Sequence, residues 1–325
     1  AFRSLASTLT VAADCGVIIY GYILYRDIFG ANTKFSENEV YVYIPTDATY
    51  DEVKNIVAPY IKDMSRFEMV ATKKSYPERS DKSGRFLLKK GMNSNEIVNS
   101  LRLNVPVNLA FNNQERLENF AGRIGSQIEA DSLSLLDAFR DKKFLEENGF
   151  TEENVLSMFV PNSYEFFWNT SAVKFRDRMA KEYRKFWTND RLEKAKQLNL
   201  TPIQVSILAS IVHKETVKRD ERPRVAGVYL NRLQRGIKLE ADPTVIYAVK
   251  LKSGDFNQVI KRVLNKDLVT DSPYNTYMYQ GLPPGPIAMP DITALDAVLN
   301  PEKHNYIYFC ASVTNFGYHE FAVTA

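Results

Sequence analysis

The sequence predicts an α+β protein built from several parts, not one continuous sheet. Three observations lead there. Strand-like and helix-like segments alternate between Val40 and Phe111, and helical periods take over from Asn113 to Asn199. The last third then interleaves short helices with loops dense in Pro, Tyr and Asn before a final strand.

Taken in order, the first part is the stretch Leu5 to Tyr25, LASTLTVAADCGVIIYGYILY, apolar except for Asp14 and small polar residues. A spanning helix needs about 20 mainly apolar residues. A central Asp costs about 2.5–3.5 kcal/mol on insertion, which weakens the candidate. Tyr20, Tyr22 and Tyr25 suit an interfacial belt before Arg26 and Asp27. A membrane anchor over residues 1–27 is the reading adopted. A buried amphipathic helix and a signal peptide compete with it, the latter lacking an Ala-x-Ala site.

Val40 to Ile44 (VYVYI) is a β-branched and aromatic run halted by Pro45, and helical spacing follows from Tyr50 to Ile61. Phe86-Leu87-Leu88 reads as a second strand, with a capped helix start near Glu96. Val105 to Phe111 is a third strand, placed at an edge by Pro106. These make a small α/β module over 38–112. From 113 to 200 the pattern is helical, with Leu117, Phe120, Ile124 and Ile128 at threes and fours. One long, charged-faced helix is expected between Phe175 and Leu198. Thr201-Pro202 opens the next helix as N-cap and first residue, with Val205, Leu208, Ala209 and Val212 as its buried stripe. Val225 to Leu233 is a further helix closed by Gly236, and Tyr306 to Phe309 is the last strand.

Composition bounds the chemistry. The 325 residues are 45% hydrophobic and 25% charged, a globular composition with room for two or three domains. A formal net charge of +3 excludes nucleic acid as a bulk electrostatic partner. Cys15 and Cys310 cannot build a disulfide scaffold. The three histidines (His213, His304, His319) are never paired at ligand spacing, so neither metal nor cofactor is expected.

Glu215 ends the apolar run SILASIVHKET. A carboxylate at the rim of such a helix loses hydration, its pKa rises, and it can serve as a general acid. The competing reading is an exposed Glu paired with Lys218 or Arg219. Glu221, before Arg222-Pro223, reads as capping a helix or offsetting its dipole, and Asp242, before Pro243, as an N-cap. His213 reads as structural. The segment SPYNTY around Asn275, followed by GLPPGP, is either a stacking platform for a sugar or a rigid hairpin.

The stretch LASIVHKET…ERPRVAGVYLNRLQRGIKLEADPTVIYAV, then DSPYNTYMYQGLPPGPIAMP, ALDAVLNP, YIYFCAS and GYHEF, resembles the YceG-like endolytic murein transglycosylases. The resemblance is strong after Leu208 and weaker before Pro161, where FVPNSYE and RDIFGANT also match. It implies a single anchor helix (1–27), a LysM-like module (38–112), a helical connector (113–200) and a mixed α+β catalytic domain (201–325). It places the catalytic glutamate on Glu215, in Lys-Glu-Thr. The family usually has an acid where this chain has His213, and Thr where it has Ala241. The chain stops at Ala325, short of the family's usual last residues.

The activity so implied is lysis of the bond between N-acetylmuramic acid and N-acetylglucosamine in nascent glycan strands, leaving 1,6-anhydro ends and terminating elongation. One carboxyl suffices, because the muramyl C6 hydroxyl is the nucleophile. Asn231, Asp242, Tyr247 and Asn275 are expected to bind sugar or stabilise charge at C1, and Tyr277 to stack on a ring. Expected partners are peptidoglycan strands, peptidoglycan synthases and the membrane. The expected place is the outer face of the cytoplasmic membrane, with the catalytic part periplasmic. A hydrolase using Glu215 with Asp242, or a non-catalytic glycan-binding protein, are the alternatives.

Overall fold

The computed structural model describes residues 29–324, with Gly21, Tyr22 and Tyr25 before them. The expected anchor over 1–27 lies outside the described residues, those three apart. Among the described residues no helix is long and apolar enough to cross a membrane. The chain divides into two compact units. One takes the residues up to Asn108 with 127–129 and 165–170, and the other takes the remainder.

In the first unit β1 (Glu39–Ile44) is followed by α1 (Tyr50–Val57), α2 (Met64–Lys73), β2 (Gly84–Lys89) and α3 (Ser94–Ser100). β1 and β2 are antiparallel, with Val42 opposite Phe86. The two-residue period turns Val42, Ile44, Phe86 and Leu88 inward, onto Val53, Val57, Phe67 and Ile97 of the helices. Thr49 with Glu52, and Asn93 with Glu96, close capping boxes at α1 and α3. Helix α2 was not anticipated. Its Phe67, Val70 and Ala71 supply a helical stripe, and Asp63 caps it. Buried Asn32 ties the unit's segments together: its amide donates to the Asp63 carbonyl and the Ser94 hydroxyl and accepts from the Asp63 N–H.

Strand β3 (Val107–Ala110) starts two residues later than expected, past Pro106, and pairs with β4 (Ser163–Phe166). The second unit holds α4 (Leu117–Gly125), α5 (Ser132–Phe139) and α6 (Lys142–Asn148). Phe120 there meets Phe159 at 4.5 Å and Phe139 at 5.5 Å between ring centroids. The single long helix expected over 175–198 is two, α7 (Ala172–Phe186) and α8 (Asn189–Gln197). Buried Trp187 ends the first, and the Thr188 hydroxyl, accepting from the Arg191 N–H, begins the second.

Next come α9 (Pro202–Glu215), α10 (Arg222–Gln234), α11 (Asp242–Ser253), the short α12 (Asn265–Leu268) and α13 (Ile292–Leu299). Strands β5 (Tyr308–Ala311) and β6 (His319–Ala322) close the chain as an antiparallel pair. The last strand expected at 306–309 thus begins two residues later and has a partner the sequence did not announce. Helix α9 is buried on every side from Val205 to Val212, not along one stripe, because α10, α11 and α13 all pack on it. Tyr183, Phe186, Trp187 and Ala195 join this same core, so most of the stretch 113–200 belongs to one unit with 201–324 instead of standing apart as a connector. The described residues form three two-stranded sheets, and the molecule is of mixed α+β class.

Candidate active site

The local sequence of α9 delivers Glu215 to its place. Thr201 and Gln204 form a capping box with Pro202 at the first position, and the apolar run fixes the helix in the core. Thr216 turns extended, so the helix stops at Glu215 with its side chain half-buried at the wall of a cleft of about 390 Å³. Tyr229 of α10, almost fully buried, donates its hydroxyl proton to Glu215 Oε2 at 3.1 Å. Burial pushes the Glu215 carboxyl up to about 7. The Tyr229 hydrogen bond and His319 pull against that rise, while Asp242 adds to it.

Asp242 and Tyr277 line the same cleft, and the Tyr277 hydroxyl donates to Asp242 Oδ1 at 2.8 Å. Burial and this carboxylate hold the Tyr277 phenol well above its ordinary range. Asp242 is not the helix cap the sequence suggested. Ala241 is the cap residue, and Asp242, one position inside α11, lines the cleft instead. Threonines pin this helix start: the Ala241 N–H donates to Thr276 Oγ1 at 3.0 Å, and the Thr244 hydroxyl donates to the Ala241 carbonyl at 2.7 Å.

Arg232, buried beneath the cleft, braces the segment leading into α11. It donates to the carbonyls of Lys238 and Leu239 at 2.9 Å, to Glu240 at 3.1 Å and to the Ile307 carbonyl at 2.6 Å. Glu240 there takes a left-handed φ of 51°, which is costly for a residue with a Cβ. His319 completes the wall. Its Nδ1 lies 2.8 Å from Glu221 Oε2, and its own N–H donates to Glu221 Oε1 at 2.6 Å. Glu221, read from the sequence as offsetting a helix dipole, makes no side-chain cap. It is instead the buried partner of this histidine.

Of the residues expected at the site, the structure brings together Glu215, Asp242 and Tyr277. Three others stand elsewhere, for stated reasons. Asn275 is fully buried, and its amide donates to the Leu268 and Thr270 carbonyls at 2.9 and 2.8 Å while accepting from the Tyr277 N–H. It knots the loop that carries Tyr277 and has no face toward the cleft. Asn231 donates to the carbonyls of His304 and Tyr306, both at 2.9 Å, and lines a different cavity. Tyr247 packs on Tyr274 and Phe256 and lines a cavity with Glu115, Lys214 and Lys250. His213 is structural, beside Asn113 and Asp291. Burial works against the Asp291 carboxyl, but hydrogen bonds from His213 and Arg222 outweigh it and hold that carboxyl well below the usual range.

Tyr229, Arg232, Tyr308 and His319 line the cleft and were not singled out. Tyr229 falls on the same helical stripe as Val225 and Ala226, which reads as core. His319 lies in a short strand with little local signal. Among the described residues no group of three His, Cys, Asp or Glu side chains could hold a metal ion.

Fold and site define the class: an α+β protein with a carboxyl of raised pKa at the end of a buried helix, lining an open cleft. The chain belongs to the YceG-like family, whose model matches residues 42–325. It is 26% identical over 318 residues to the endolytic murein transglycosylase of Bacillus subtilis (strain 168), an alignment covering 91% of this chain and 84% of that protein. Over 121 residues it is 37% identical to the endolytic murein transglycosylase of Streptococcus pneumoniae serotype 2, covering 37% of this chain and 21% of that one. The crystal structure of a YceG-like protein from Listeria monocytogenes is 25% identical, with a TM-score of 0.58, covering 89% of this chain and 97% of the other.

Proposed function

We propose that this chain is an endolytic lytic transglycosylase of peptidoglycan, with Glu215 as its acid and base. The observation that carries the reading is the Glu215 carboxyl, raised to about 7 at the wall of an open cleft. At neutral pH a large share of such a group holds a proton, as a general acid must. Membership of the YceG-like family supports the substrate class, as does the name borne by the Bacillus and Streptococcus relatives.

Glu215 gives its proton to the glycosidic oxygen between the muramyl C1 and the glucosaminyl C4, and the C1–O bond breaks. The carboxylate so formed takes the proton of the muramyl C6 hydroxyl while that oxygen bonds to C1. The product is a 1,6-anhydro end, and Glu215 regains its proton. Because the nucleophile belongs to the substrate, no water has to be positioned, and the ring closure has a high effective molarity. Asp242, oriented by the Tyr277 hydroxyl, faces the charge that develops at C1. Asn275, Asn231 and Tyr247 act at one remove, by holding the loops around the cleft.

The rest of the chain suits the same task. The antiparallel strands and helices of the first unit support a LysM-like, glycan-binding role for 38–112. Residues 1–27 would anchor the protein on the outer face of the cytoplasmic membrane, beside peptidoglycan synthases, where cleavage of nascent strands ends their elongation. A hydrolase employing Asp242 as second carboxylate is the reading that Asp242's place in the same cleft would favour instead.

The test is Glu215→Gln, which keeps the shape and removes the transferable proton. It should abolish cleavage of purified glycan, a loss of at least about 10²-fold, with glycan binding by sedimentation unchanged. A variant that keeps half the activity contradicts the assignment.

A further inference from the structure

Glu215 must pass through its anionic form once per turnover, in a place where burial and Asp242 both oppose that form. The cleft wall holds three carboxylates, Glu215, Glu240 and Asp242, against two groups able to carry positive charge, Arg232 and His319. Arg232 is committed to four oxygens of the segment 238–240 and of Ile307. His319 is differently placed. Its side chain is 15% exposed, and its Nδ1 is fixed by Glu221, whose side chain is 3% exposed. Its Nε2 has no hydrogen-bond partner among the described residues, and the ring lines the same cleft as Glu215.

The strand pair explains the precision. In β5–β6, Ala311 stands opposite His319 and Phe309 opposite Phe321. Strand alternation puts His319 and Phe321 on one face, and Phe309 meets the imidazole edge-on at 5.1 Å. Ring, backbone and carboxylate together leave His319 one orientation.

We propose that His319, held by Glu221, is a positioning residue of the reaction: as an imidazolium it stabilises the Glu215 carboxylate between proton donation and proton return. The inference rests on the acid–base reading of Glu215. The groups facing His319 leave it this role. Asp220 is taken by the Tyr318 hydroxyl, Lys218 lies over the Tyr318 ring, and Glu320 on the opposite strand face takes the Ser312 hydroxyl. Tyr229 donates to Glu215 itself, and Tyr277 to Asp242. With Nδ1 held by Glu221, Nε2 is the polar atom that His319 has left to offer the cleft it lines with Glu215.

The experiment follows the Glu215 carboxyl directly, by carbon NMR titration of protein labelled at its glutamate carboxyls, assigned by difference with Glu215→Gln and needing no substrate. In His319→Gln the Glu215 titration should move up by about one pH unit, the scale of losing one nearby opposite charge. In His319→Lys, where a cation is restored, it should return most of the way to the wild-type value. The basic limb of the kcat/KM profile should move with it. An unshifted carboxyl in His319→Gln, or a Lys variant displaced as far as the Gln variant, overturns the proposal. Nitrogen NMR of the unmutated protein guards against variants that misfold: both imidazole nitrogens of His319 should be protonated while Glu215 is ionised, and a neutral ring there also overturns it. Shifts of the expected size in a protein that cleaves no glycan would count against the enzymatic reading and leave the His319–Glu215 link standing.

Discussion

Glu215 is the residue on which the proposed chemistry and stability meet. Its carboxyl sits near 7 in the folded chain, against an ordinary value of 4.5. The folded state therefore binds the extra proton between those two values, and stability falls as pH rises from about 4.5 to about 7. Above 7 the penalty is constant, on the order of 3 kcal/mol at most. Glu215→Gln removes it, so denaturant titrations should find this variant more stable than wild type at pH 8 and nearly equal at pH 4. A Gln variant less stable at pH 8 would mean that the carboxyl is not strained by burial. Asp242→Asn keeps the Tyr277 contact but removes charge, and should lower kcat without eliminating cleavage. At this scale the partial burial of Glu215 was legible, because an apolar run ending in a carboxylate implies desolvation; its choice over an exposed, ion-paired Glu came from the family resemblance. Asn275 was not, since a loop amide that binds sugar and one that binds its own carbonyls have the same letters. Asn275→Ala should cost about 2–4 kcal/mol in unfolding free energy, from stranded buried carbonyls and an N–H. If stability is untouched while glycan binding is lost, Asn275 belongs at the cleft after all.

Elements were read best where propensity, capping and apolar pattern agreed. Thr201-Pro202 announced the start of α9 at its actual first residue. The break between α7 and α8 escaped because charged helix formers continue on both sides of it. Only Trp187 turning inward and Thr188 capping the next turn mark the stop. Strands β5 and β6 are four residues each, too short for alternation to stand out, and it is their pairing that carries His319 to the cleft. Contact between α10 and the segment before β5 is tight. A Cβ on Gly227 would come within 2.6 Å of His304 Nε2 and 2.7 Å of the Glu302 carbonyl. Gly227→Ala should therefore cost about 1–3 kcal/mol through overpacking, read from the urea midpoint. An unchanged midpoint would show that the 302–304 segment yields freely.

For the whole molecule, the mixed class was legible from the change of period along the chain, but the partition was not. Aromatic residues of α7 and α8 sit in the core built on α9, so the compact unit bearing the cleft begins near Leu109 instead of at 201. Long-range packing of this kind leaves no local trace. A fragment beginning at 201 should accordingly lose the cooperative unfolding transition of the full chain, and retention of that transition would restore the narrower boundary. Cleavage of glycan by one carboxyl and internal ring closure is tested most directly by mass spectrometry of the products released from purified peptidoglycan in water enriched in oxygen-18. The expected products are 1,6-anhydromuramyl ends with no heavy oxygen incorporated. Reducing ends carrying oxygen-18 would make the enzyme a hydrolase, and no product at all would leave a glycan-binding protein.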